Sequence, residues 1–232
     1  MSNKYNYSRL KHTWGLRGEK YEILPGIDVI LYINLDKRQD RRARFECEFR
    51  KIGVDPVKLR RISAVDTPKN GALGCLTSHI NACRVAIEEY PGKNVLICED
   101  DIVFQKSGEE IRGMLSSFRH DSNFEGGYDV VMLAHNTHRS SPTNIPGIIK
   151  IIDSQTASAY LANTSYLEKL VNVYEEALKS FNIDHVWKEE YWNDQCWKVL
   201  QKQDTWYGFV PRIAIQGESY SDIEKKVVKY GV

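Results

Sequence analysis

Val95-Leu96-Ile97-Cys98-Glu99-Asp100-Asp101-Ile102-Val103-Phe104 sets three acids in succession inside an otherwise apolar run. Asn94 to Cys98 shows no regular polar alternation, the pattern of a strand covered on both faces. Val29-Ile30-Leu31-Tyr32-Ile33 has the same character upstream and ends in Asn34-Leu35-Asp36. Between them lie an Arg- and Glu-rich segment with Phe45, Phe49 and Ile52 at helical spacing, and Gly53 as its stop. Lys58 to Val65 reads as a strand. Leu73 to Tyr90 carries Leu76, Ile80, Cys83 and Ile87 on one helical face and is ended by Pro91-Gly92. Downstream, Gly108 to Phe118 reads as a helix and Tyr128 to Ala134 as a fourth strand.

Strands alternating with helices predict an α/β layer, with a largely parallel sheet and ligands gathered at the C-terminal strand ends. The second half has a different rhythm. Ile148 to Ile152 and Ala157 to Ala162, separated by polar residues, read as two antiparallel additions. Thr164 fits the N-cap of a helix through Leu167, Leu170, Val171, Tyr174 and Leu178. Asp184 to Leu200 reads as a second, aromatic-rich helical stretch, and Trp206 to Val210 as a late strand. Residues 1–27 show no clean period and read as an N-terminal extension, with Trp14 and Tyr21 as possible anchors.

The chain has 232 residues, 42% of them hydrophobic, enough for a sizeable core. Its 32 basic and 31 acidic residues nearly cancel, which excludes a chain-wide field for nucleic acid or anionic lipid. Anion binding must therefore be local. The N-terminal stretch has no apolar run long enough for a signal peptide or membrane span, so a cytoplasmic protein without a transmembrane segment is expected, peripheral membrane contact aside. Five scattered cysteines, odd in number, read as reduced thiols.

Three carboxylates crowded at a strand end repel one another and resist desolvation, so they need a cation, strong donors or raised pKa values. In an extended chain Glu99 and Asp101 point to one side and Asp100 to the other. That makes Asp101 and Glu99 the candidate metal ligands, for Mg²⁺ or Mn²⁺ with oxygen donors. A solvated turn with capping acids is the alternative. Asn34-Leu35-Asp36-Lys37-Arg38-Gln39-Asp40-Arg41-Arg42 offers cations and backbone donors at a helix start for phosphate or a base, or else an exposed helix with internal Asp-Arg pairs. Gly74-Cys75-Leu76-Thr77-Ser78-His79 offers Ser78 as a cap or ligand and His79 as a phosphate donor or a structural histidine.

Taken in order, Ile-Asn-Leu-Asp-x-Arg-x-x-Arg-Arg, Gly-Cys-Leu-x-Ser-His and Leu-Ile-x-Glu-Asp-Asp-Ile resemble glycosyltransferase family 25. That family includes bacterial lipopolysaccharide galactosyltransferases and collagen hydroxylysine galactosyltransferases. The resemblance runs from about Val29 to Ile223. Gln155-Thr156-Ala157-Ser158-Ala159-Tyr160 is similar to a family Gly-Thr segment that ends in Tyr, with Gln155 in place of Gly, and Ile183-Asp184-His185 to its Val-Asp segment. Val210-Pro211 through Gln216 and Ser221-Asp222-Ile223 resemble its C-terminal ending.

The resemblance implies a GT-A-type domain over residues 28–232, with a nucleotide-sugar half to about residue 135 and an acceptor half after it. It further implies inverting, Mn²⁺- or Mg²⁺-dependent transfer of galactose from a UDP-sugar donor to a hydroxyl of a glycan, lipid-linked glycan or glycoprotein. The metal would sit on Asp101 and Glu99. The donor would meet Asn34, Leu35, Asp36, Arg38, Arg41, Ser78, His79, Glu99, Asp100, Gln216 and Asp222. Asp184 is the first candidate for general base and Asp194 the second. Trp187, Tyr191, Trp192, Trp197, Trp206 and Tyr207 crowd the expected acceptor region, either as a sugar platform or as core. Two other classes remain open at this point: another metal-dependent phosphate-site enzyme, such as a nucleotidyltransferase or nucleotide-sugar hydrolase, and an inactive carbohydrate-binding module.

Overall fold

The computed structural model describes residues 23–120, 127–184, 188–221 and 226–228. Its first strand, β1 (Val29–Asn34), shows how the layers arise. Alternate side chains leave opposite faces of a strand. Ile30 and Tyr32 join one core with Phe45 and Phe49 of helix α1 (Gln39–Lys51), and Tyr32 stacks on Phe45 at 4.3 Å. Leu31 and Ile33 join the other core with Leu76, Ile80 and Cys83 of α2 (Gly71–Glu89). Strand β3 (Asn94–Glu99) divides in the same way, Leu96 and Cys98 to the first core, Val95 and Ile97 to the second. Each face must therefore be covered by helices. α3 (Gly108–His120) lies on the α1 side and α4 (Thr164–Asp184) on the α2 side.

β1 pairs in parallel with both β2 (Leu59–Ser63) and β3. β6 (Ile148–Asn163) then runs antiparallel to β3 and β5 (Val130–Pro142), and β5 is parallel to β7 (Trp206–Phe209). The sheet order is β2-β1-β3-β6-β5-β7, with β6 alone running against the rest. A mixed, mostly parallel sheet between helices is the α/β class that the sequence predicts. Beyond the acids, β4 (Ile102–Phe104) pairs antiparallel with β8 (Ala214–Gln216), and β9 (Ser219–Ser221) with β10 (Lys226–Val228).

Four expectations need correction. The two predicted additions at Ile148–Ile152 and Ala157–Ala162 are one long strand, continued through the intervening polar residues by irregular pairing with β5 and by Thr156 at φ 77°. The predicted helix over Asp184–Leu200 is broken into a 3₁₀ turn at Glu189–Tyr191 and two short helices, α5 (Asn193–Cys196) and α6 (Lys198–Gln203). The Thr164 hydroxyl accepts from Gly92 N–H, and Asn163 supplies the cap-like bond by accepting from Ser165 N–H at 3.0 Å. Ile23, Leu24 and Ile27, assigned to an N-terminal extension, are buried core residues; Trp14 and Tyr21 lie outside the described residues.

Trp197 and Trp206 are fully buried, with ring centroids 5.1 Å apart, so this part of the aromatic cluster is core. All five cysteines are free. Among the described residues, no helix is long and apolar enough to cross a membrane.

Gly74 sets how closely α2 approaches the loop after β2. A Cβ there would lie 2.4 Å from Thr67 Oγ1 and 2.5 Å from the Val65 carbonyl oxygen. Alanine normally favours a helix interior over glycine by about 1 kcal/mol. Gly74→Ala is expected to reverse that sign and lower the unfolding free energy by roughly 1–3 kcal/mol, read by urea denaturation. A stabilised variant would show that α2 does not pack this tightly.

Candidate active site

The C-terminal ends of β1 and β3 lie side by side and deliver Asn34 and Glu99-Asp100-Asp101 to one place. Strand alternation sends Asn34 toward α1, and Asp100, in the turn that follows β3, meets it there. Asn34 Nδ2 donates to Asp100 Oδ2 at 2.6 Å and to the Arg38 carbonyl at 3.0 Å, while Asn34 Oδ1 accepts from Arg61 Nε at 2.9 Å. Arg41, two residues into α1, donates to Asp100 Oδ1 at 2.7 Å and reaches Asp101 Oδ2 at 3.3 Å.

Glu99 turns the other way, toward α2. Its Oε1 lies 3.1 Å from His79 Nε2 and 3.5 Å from Cys75 Sγ, and its Oε2 accepts from Ser158 Oγ at 3.3 Å. The alternation expected to place Glu99 and Asp101 on one side is cut short because the strand ends at Glu99 and the chain turns at Asp100-Asp101. Asp101 instead shares Arg41 with Asp100 and accepts from Gln216 Nε2 at 3.1 Å. The contact with Gln216 depends on Gly217, whose N–H donates to the Asp101 carbonyl at 2.7 Å and whose Cβ position lies 2.9 Å from that oxygen.

The electrostatics follow from these partners. Burial, then the Glu99 charge, raises the Asp101 carboxyl to about 7 against the pull of Arg41. Burial also raises Asp100, opposed by Arg41 and Asn34. For Glu99 burial acts upward, but His79, Cys75 and Arg41 together hold it below the usual glutamate value. Among the described residues Asp101 Oδ1 is buried without a hydrogen-bond partner, whereas Oδ2 has two. An orphaned carboxylate oxygen among acids is what a hard divalent cation would complete, so Asp101 fits Mg²⁺ or Mn²⁺, whereas Glu99, expected as the second ligand, has both oxygens engaged by His79, Cys75 and Ser158.

Asp194 also reaches this region, through the short α5 that the predicted long helix would not have provided. Its Oδ2 accepts from Thr156 N–H at 3.0 Å and its Oδ1 from Gln195 at 3.3 Å. Burial raises its carboxyl, Thr156 opposes, and the Glu99 charge raises it further. The left-handed Thr156 backbone is an uncommon conformation for a β-branched residue, and it points this N–H at Asp194.

Other expected donor residues are engaged inside the fold. Ser78 donates to the Gly74 carbonyl and accepts from Val65 N–H, which ties the loop to α2. His79 is fully buried, with Nδ1 3.0 Å from the Tyr160 hydroxyl and Nε2 on Glu99, so it positions that acid and is not placed to meet a phosphate. Asp36 accepts from Arg61 and Ser63, Arg38 pairs with Asp40, and Leu35 is half-buried. The Asp184 backbone closes α4; its side chain, like Asp222 and Trp187, lies outside the described residues. Cys75 and Ser158 were not singled out as site residues. The Cys75-x₃-His79 spacing is the signal for the first, and Ser158 gives none.

No protein-family model matches the sequence, and no curated protein matches it significantly. Similar solved structures include A197 from STIV, at 10% identity and TM-score 0.42 over 86% of this chain and 92% of that one. A glycosyltransferase involved in glycosylation of the major capsid of PBCV-1 matches at 10% identity and TM-score 0.38, over 78% and 92%. UDP-glucose pyrophosphorylase from Acinetobacter baumannii matches at 11% and 0.40, over 74% and 59%. Each is a likeness in the course of the chain.

The raised Asp101 carboxyl has a definite consequence for the metal-free protein. Its folded pKa of about 7 exceeds the unfolded 3.8, so the native state binds more protons between these values and stability declines as pH rises through them. Asp100 and Asp194 act in the same sense, while Glu99, held low, acts oppositely and only in the acid range. In chelator, Asp101→Asn is expected to remove roughly 2–4 kcal/mol of the stability loss between about pH 5 and pH 8, measured by denaturant unfolding. An unchanged pH slope would show that Asp101 is already ionised at neutral pH.

Proposed function

We propose that the chain is an inverting, metal-dependent glycosyltransferase of the GT-A type, similar to family 25, that moves galactose from a UDP-sugar to a hydroxyl of a glycan or glycoprotein. The observation that carries this reading is the buried, unpartnered Asp101 Oδ1 at the C-terminal edge of a mostly parallel sheet, flanked by Arg41 and Gln216. The order of motifs around it supports the choice of sugar transfer.

A divalent cation bound there supplies Lewis-acid neutralisation of the donor's diphosphate. The chain's own groups do the rest. Arg41 fixes the Asp100 and Asp101 carboxylates relative to each other, and Gln216 engages Asp101 Oδ2, which leaves the buried Oδ1 for the cation. His79, Cys75 and Ser158 hold Glu99 in one orientation. Asp194 takes the proton of the acceptor hydroxyl as it attacks the anomeric carbon and the nucleoside diphosphate leaves. Its raised carboxyl suits that task, because a base nearer neutrality transfers protons more effectively. Asp194 replaces Asp184 as first choice on these grounds.

A screen of nucleotide sugars for Mn²⁺-dependent breakdown is expected to single out UDP-galactose, with the sugar moving to an added hydroxyl acceptor. Release of sugar phosphate alone would refute sugar transfer. Asp101→Ala should abolish Mn²⁺-linked thermal stabilisation by UDP while leaving the circular dichroism spectrum unchanged; retained stabilisation would remove Asp101 from the metal. Asp194→Asn should lower turnover by about 10²–10⁴-fold with Mn²⁺–UDP affinity kept within about twofold. Full turnover would return the base assignment to Asp184.

A further inference from the structure

The α2 side of Glu99 has a donor chemistry unlike that of the Asp101 side. Cys75, His79 and Glu99 each offer one ligand atom, and these lie within 4.8 Å of one another. Cys75 and His79 stand four residues apart on α2, which puts both side chains on one face, and Glu99 meets them from the end of β3. Sulfur to carboxylate is 3.5 Å and imidazole to carboxylate 3.1 Å. Zinc bonds of about 2.3 Å to sulfur and about 2.0–2.2 Å to nitrogen and oxygen put tetrahedral ligand pairs roughly 3.2–3.6 Å apart, close to both separations.

The outer contacts suit the same purpose. Without a cation Nε2–H donates to Glu99; in the other tautomer, with Nδ1–H donated to the Tyr160 hydroxyl 3.0 Å away, His79 would present its Nε2 lone pair to a cation in the space shared with Cys75 and Glu99. Ser158 anchors the other Glu99 oxygen, which leaves Oε1 directed at α2.

We propose that Cys75, His79 and Glu99 form a binding site for a thiophilic divalent cation of the Zn²⁺ class, separate in donor chemistry from the oxygen-rich site at Asp101. A sulfur, nitrogen and oxygen donor set favours Zn²⁺ or Co²⁺ over Mg²⁺ or Mn²⁺. Binding forms a sulfur–metal bond and releases the thiol proton to solvent, with no change of oxidation state. Water fills the fourth position. Because Glu99 borders both sites, the cation fixes the orientation of an acid that also faces Asp101.

Co²⁺ is the probe, since thiolate ligation gives it near-ultraviolet charge-transfer absorption that oxygen and nitrogen ligands do not. Titration of the metal-free full chain is expected to raise this band to saturation at about one equivalent, with Zn²⁺ abolishing it. Cys75→Ser should remove the band, Cys47→Ser and Cys196→Ser should keep it, and His79→Gln should weaken Co²⁺ binding at least about tenfold. No band in the unaltered chain, or a band that survives Cys75→Ser, overturns the proposal. In the unaltered protein Zn²⁺ should also slow alkylation of Cys75 at least about tenfold, mapped by mass spectrometry, while exposed Cys47 reacts as before. An unchanged Cys75 rate overturns the proposal even where a variant fails to fold. These readouts involve no nucleotide, so they stand or fall apart from sugar transfer.

Discussion

Three consecutive carboxylates must coexist at the buried end of β3, and their mutual repulsion shapes the elements around them. Two unit charges about 4 Å apart interact by about 4 kcal/mol at an effective dielectric of about 20, so each acid needs its own counterweight. Glu99 takes His79, Cys75 and Ser158; Asp100 takes Asn34 and Arg41. Asp101 shares the Arg41 guanidinium, receives Gln216, and among the described residues still has one bare oxygen. Neutralisation is therefore incomplete at one known atom, and the raised Asp101 carboxyl is its electrostatic expression.

The same requirement explains several packing details remote from any ligand. Asn34 is almost fully buried because it must join β1, α1 and β3 while accepting from Arg61. Gly217 has no side chain because β8 has to bring Gln216 within reach of Asp101 while the backbone approaches the Asp101 carbonyl. The β4–β8 pair is short, yet its register sets Ile102 opposite Gln216 and so fixes that glutamine beside the acids.

Much of this was legible where the side-chain period was unambiguous. β1 and β3 have no wet face, so their apolar runs announced strands between two helix layers, and the acids at the end of β3 announced a charge problem. The partition of those acids was not legible. It depends on the strand ending at Glu99, a one-residue matter that apolar patterning does not resolve. Ser78 and His79 each left a ligand reading and a structural reading open, because helical spacing does not show the tertiary contacts from Val65 and Tyr160 that engage them. The Asp184–Leu200 stretch misled for the opposite reason. Its aromatics read as helically spaced, but the backbone is broken there into short elements, and Trp197 packs edge to face on Trp206 of β7 in the core.

That break bears on the placement of Asp194. β6 follows β3 in register up to the pair Cys98–Ala159 and pairs no further, so the two strands part where the acids begin. Beyond the parting, Ser158 is free to reach Glu99, and Thr156, turned to a positive φ, offers its N–H to Asp194 on α5. A regular strand would keep the Thr156 N–H in its ladder. The irregularity in β6 therefore opens the edge of the sheet, anchors Glu99 through one residue, and holds Asp194 through another. A single departure from strand geometry thus sets the position of Glu99 relative to Asp194, because both hang from the same three residues of backbone.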